Sequence, residues 1–104
     1  MTPKASLRTV QLVELLFSPK DIPESVHWLE EECGVNLSLI GKKDEYSMER
    51  IRFAAIKLSE GSLLKLLEAI DVAQKDWRDL LMMVGFGFDV SAHEIWAKEV
   101  LSKT

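Results

Sequence analysis

The densest group of reactive side chains is Asp76-Trp77-Arg78-Asp79. Two carboxylates three residues apart lie on one helix face. With an arginine between them they can act as an acid/base pair beside an anion clamp. The same residues also suit a helix N-terminus, where acids favour the macrodipole and Trp77 fills the core. The local pattern favours this second reading, with Arg78 and Asp79 as an exposed charge pair. Asp89 and His93 are four residues apart and can share a proton or a metal ion. Asp76, Arg78, Asp79, Asp89 and His93 therefore make up the candidate polar site. His93 is the one side chain in it suited to general-base work near neutral pH, but no nucleophile accompanies it, so no catalytic residue is assigned.

Metal chemistry is short of ligands. Zinc sites take three or four, no second His or Cys stands near His93, and His27 and Cys33 lie six residues apart, off a common helix face. No metal and no cofactor are expected. Cys33 is the only cysteine, so it cannot close an internal disulfide, and it reads as a small buried apolar residue. Gly85-Phe86-Gly87-Phe88 lacks the glycine spacing, the lysine and the preceding strand of a phosphate-binding loop. Its phenylalanines are expected to plug the core, and either one, if exposed, becomes an interaction hot spot.

Charge argues against a nucleic-acid partner. Lys and Arg number 13 against 17 Asp and Glu, a net charge of −4, whereas nucleic-acid affinity comes mainly from neutralised phosphates. Lys42-Lys43 is followed at once by Asp44 and Glu45, and Arg50, Arg52 and Lys57 are interleaved with Glu49 and Glu60. A helix-turn-helix reading fails similarly, because acids at the start of a recognition helix would repel the backbone. No membrane span is expected either. The apolar stretch Val10–Phe17 is interrupted by Gln11 and Glu14, and Leu80–Val84 is shorter still. A cytoplasmic protein is the default expectation.

The elements that must carry these residues follow from periodicity. With 104 residues the chain suits a single domain over 1–104. Apolar positions recur at helical spacing, and Gly and Pro punctuate them. Helices are expected over 4–17, over 22–33 with Asp21 and Glu24 as a capping box and Gly34 as a C-cap, over 48–60 capped by Ser47, and over 62–75. A short helix follows from Asp76 to Gly85, and a last one runs from an Asp89 or Ser91 cap to about residue 102. Residues 35–46 read as extended coil, or as a short strand. The sum is an all-α orthogonal bundle of five to six short helices with little or no strand.

Several apolar residues fall off their core stripes: Leu12 and Leu16 on the first helix, Trp28 on the second, Leu64 on the fourth and Ile95 on the last. Together they are the candidate interface, because apolar side chains gathered on one surface mark a partner site.

Glu49-Arg50-Ile51-Arg52-Phe53-Ala54-Ala55, Leu58-Ser59-Glu60-Gly61, Asp76-Trp77-Arg78-Asp79-Leu80-Leu81, Gly85-Phe86 and Ala92-His93 resemble a group of small uncharacterised bacterial proteins. The likeness covers residues 48–97. It implies a bacterial, cytoplasmic protein and carries no activity, cofactor or partner. The residues themselves suggest a non-catalytic helical protein-interaction module, with a protein partner or a homodimer through the first helix. The alternative is a small-ligand binder or enzyme centred on His93 and Asp89 with the Asp76–Asp79 segment.

Overall fold

The computed structural model describes residues 4–34, 37 and 45–103. Among them are five α-helices and no strand: α1 (Leu7–Leu16), α2 (Ile22–Glu32), α3 (Glu45–Ser59), α4 (Leu63–Met83) and α5 (Ala92–Ser102), with a 3-10 turn at Pro19–Asp21 leading into α2. The all-α bundle is as the periodicity predicts. The expected 35–46 segment lies mostly outside the described residues, but Tyr46 belongs to α3, and Leu37 is buried.

Helix ends depart from expectation at four residues. Helix α3 starts at Glu45, so Ser47 sits inside it rather than capping it. Asp21 and Ser91 make no side-chain cap hydrogen bond, and Gly34 is not among the residues with positive φ. The expected break at Asp76 is present as a kink within one continuous helix. Asp76 has extended backbone angles (φ −162, ψ 105), and its Oδ1 accepts the Arg78 N–H at 3.0 Å, so a carboxylate restarts the helix.

The core lies around α3. Met48, Ile51, Phe53, Ala54, Ala55 and Ile56 are all buried, because this helix carries apolar residues on more than one face. It packs on α1, α4 and α5, with α4 covering it most extensively, while α2 leans on α1 and α4. Burial of each large aliphatic or aromatic side chain contributes about 1.5–3 kcal/mol.

Two charged residues of α3 are buried with this core. The Arg52 guanidinium donates from Nε to the Leu29 carbonyl at 3.0 Å and to the Cys33 carbonyl at 3.1 Å. From Nη1 it reaches the Lys4 carbonyl at 3.2 Å. It thus caps the C-terminal end of α2, where carbonyls lack intrahelical donors and a cation suits the dipole. Glu49 binds the start of α1: one oxygen accepts from Ser6 Oγ at 2.6 Å and the other from Arg8. Ser6 Oγ in turn accepts the Thr9 N–H at 3.2 Å, the N-cap of α1. The end of α2 is also tied to α4, where Gln74 Nε2 donates to the Glu32 carboxylate at 2.7 Å and to its carbonyl at 3.1 Å.

Between α3 and α4 the chain turns through Glu60 (φ 52) and Gly61 (φ 83). A Cβ on Gly61 would run into the Leu16 carbonyl, so the end of α1 is seated directly on this turn. Replacing Arg52 with Met is expected to lower stability by about 3 kcal/mol, through orphaned carbonyls that lose a charged donor. Gly61→Ala is expected to cost at least about 1–2 kcal/mol from the left-handed backbone alone. Urea unfolding midpoints check both.

Candidate functional site

The candidate polar residues do not form one site. Arg78 donates from Nε to Asp76 Oδ1 and from Nη2 to Oδ2, each at 2.9 Å, at the exposed kink of α4. This fork holds the Asp76 carboxyl below the usual carboxylate range. Asp79 is exposed one turn before the end of α4. Asp89 lies in the turn before α5, where its Oδ1 accepts the Ser91 N–H at 2.8 Å. His93 is fully buried. Among the described residues no hydrogen bond or ion pair joins Asp76, Arg78 or Asp79 to Asp89 or His93.

His93 is walled in by aromatic rings. Tyr46, Phe53 and Phe86 meet it with ring centroids at 5.1, 5.6 and 6.4 Å. Neither ring nitrogen has a hydrogen-bond partner. Burial pushes its pKa down, and Arg50 and Arg8 push the same way against Glu94 and Glu49. A base must reach the proton it abstracts, and His93 presents no surface to a substrate. The Cys33 thiol is buried too, and desolvation pushes it up to about 12, partly offset by Arg52, which makes it inert. No group of three or more His, Cys, Asp or Glu among the described residues can hold a metal ion. No helix among them is long and apolar enough to cross a membrane.

The candidate interface divides as well. Leu12 is fully buried, because α1 is covered by α2, α3 and α5 rather than by one neighbour. It therefore cannot meet a partner. Trp28 is half-buried and packs on the core. Leu16, Leu64 and Ile95 are exposed, on three different helices.

The most exposed aromatic among the described residues lies elsewhere. Phe88 is 90% exposed, whereas Phe86, two residues before it, is buried. The bend at Gly87 and Phe88 separates the two rings, one inward as an anchor and the other outward. The neighbouring Met82, Met83 and Val90 are exposed as well.

The turn that carries Phe88 is held at both ends by α3. At its start, Gly85 has φ 83, the Phe86 N–H donates to the Leu81 carbonyl at 2.8 Å, and the Gly85 N–H donates to the Met82 carbonyl at 3.3 Å. This left-handed cap closes α4 as glycine allows. Three side chains of α3 then bind carbonyls along the turn. Lys57 Nζ takes that of Val84 at 2.9 Å, Arg50 Nη2 that of Phe86 at 2.6 Å, and the Tyr46 hydroxyl that of Val90 at 2.8 Å. Positions 46, 50 and 57 lie along one face of a helix. The Lys57 ammonium also sits 5.0 Å from the centre of the Phe86 ring, a cation–π contact. Gly87 packs against the Met82 side chain so closely that a Cβ there would collide with Sδ.

Sequence reasoning misses Tyr46, Arg50 and Lys57. The signal available was their spacing on one helix face, opposite a turn rich in unpaired carbonyls. Comparison with known proteins adds nothing to the site: no family model, no curated protein and no solved structure matches the chain.

Tyr46→Phe deletes the hydroxyl that holds Val90 and leaves the ring in place. The expected cost is about 1 kcal/mol of stability. It is expected to appear as faster backbone motion at Phe88–Val90 in NMR relaxation, with the helices unchanged.

Proposed function

We propose that the chain is a non-catalytic protein-interaction module whose recognition element is the turn of residues 84–91. The observation that carries this reading is Phe88: a large apolar ring almost wholly in water, on a segment pinned by three side chains of another helix. An exposed phenylalanine on a free loop would lose entropy on binding. Held in place, it loses little, which is how preorganised anchors gain affinity. Aromatic anchors flanked by other apolar groups also dominate interface energies. Met82 and Met83 supply flexible, polarisable neighbours of the kind that adapt to a partner.

The enzyme or ligand-binder reading finds less support. Its base is enclosed, Asp76 is taken by Arg78, Asp89 binds the Ser91 N–H, and Asp79 lies exposed.

Photo-crosslinking tests the proposal. With p-benzoylphenylalanine in place of Phe88, adducts in the native host are expected to concentrate at this position over the same probe placed at exposed Lys98. Phe88→Ser is expected to remove the partner from the purified complex. Equal crosslinking at both positions would overturn the reading. Light scattering of the pure protein tells whether the partner is a second copy.

A further inference from the structure

Tyr46 does two things at once. Its ring covers His93, and its hydroxyl holds the Val90 carbonyl at the far end of the turn. Nothing else among the described residues fastens Val90 to α3. The cover and the fastener are therefore the same side chain.

The imidazole beneath has no acceptor waiting for a second proton. Both of its nitrogens are buried and unpartnered. The charged and titratable groups facing it come from every helix around it. They are Arg8 on α1, Tyr46, Glu49 and Arg50 on α3, and Glu94 on α5, with Lys57 on the Phe86 ring that closes the site. Both carboxylate oxygens of Glu49 are already taken, by Ser6 and Arg8. An imidazolium formed here would be a buried cation without a hydrogen-bonded counterpart, and water would have to reach it. Of the rings around His93, Tyr46 is the exposed one, whereas Phe53 and Phe86 are buried, so water reaches the imidazole when Tyr46 swings aside.

We propose that Tyr46 and His93 form an acid-sensitive latch: proton uptake by His93 displaces Tyr46, breaks its bond to the Val90 carbonyl and frees the end of the turn, residues 87–91, while Lys57 and Arg50 keep its start in place. Resting on the reading of that turn as the recognition element, the latch releases the partner in a mildly acidic environment. The sign follows from linkage. The closed form holds His93 below the ordinary histidine range of about 6.5, so it binds fewer protons than the open form. Closure is complete above the ordinary value and is lost progressively as pH falls towards the lower closed-state value. Exposed His27, the other histidine, has no part in this.

NMR of the full chain between pH 8 and pH 5, with no partner present, tests the latch. Two readouts are followed: the His93 ring resonance, and hydrogen-exchange protection of the Phe86 and Ala92 amides. These amides are bonded to the Leu81 and Asp89 carbonyls, so Phe86 reports the start of the turn and Ala92 the end that Tyr46 fastens. His93 is expected to protonate below the ordinary histidine value, and the Ala92 protection factor to fall at least about threefold over the same interval, while that of Phe86, at the end held by Arg50, stays level. His27→Gln is expected to change nothing, and His93→Phe to keep protection level across the range. Titration of His93 without loss of Ala92 protection in the unmodified protein would overturn the latch, as would the same loss persisting in His93→Phe. If His93→Phe does not fold, the unmodified protein alone decides. Failure here leaves the crosslinking at residue 88 untouched, so the latch and the recognition surface stand or fall separately.

Discussion

A carbonyl removed from water without a donor costs about 1–3 kcal/mol, and a bundle of short helices creates such carbonyls wherever a helix stops. In this chain α3 supplies the donors. Arg52 takes the Leu29, Cys33 and Lys4 carbonyls on one side of the helix. Lys57, Arg50 and Tyr46 take those of Val84, Phe86 and Val90 on another. Glu49 performs the complementary task for the donors at the start of α1. The central helix is thus both the apolar middle of the core and the polar fastening of the ends around it. Long cationic side chains suit this double role, since their stems pack apolar while their heads reach outward.

That arrangement explains how an exposed phenylalanine can be held still. Phe86 anchors the turn in the core, and α3 grips the backbone on either side of Phe88. Stability bears the cost of an apolar ring left in water, which the fold does not require. The grip is uneven, however. Lys57 and Arg50 are cationic donors, whereas the last contact is a hydroxyl whose ring lies against an unpaired imidazole. The turn is therefore firmest at its start and conditional at its end.

The sequence makes the helices legible because each carries apolar residues at helical spacing, and it makes the kink legible because Asp76 is a good cap. The site is legible only in part. Phe86 and Phe88 stand out as a pair, but two rings separated by glycines give no sign of which turns inward. That is decided by which ring meets His93 and Trp96 across the fold. Leu12 reads as off-stripe because a wheel assigns one buried face, whereas α1 has neighbours on three sides. Arg50, Arg52 and Lys57 look like a solvated basic group diluted by acids. Their partners are carbonyls, which every residue has and no residue type announces. His93 falls on an apolar stripe as expected of a buried residue, but nothing in the sequence tells that it lacks a partner.

The central claim is that Phe88 is exposed and yet held. Backbone 15N order parameters for Gly87, Phe88 and Asp89 at neutral pH test it, because they report the picosecond-to-nanosecond freedom that a free loop has and a held one lacks. The account predicts values near about 0.8, close to those of rigid helices, even though Phe88 is bathed in solvent. Values below about 0.6 would mean a flexible loop and would contradict it.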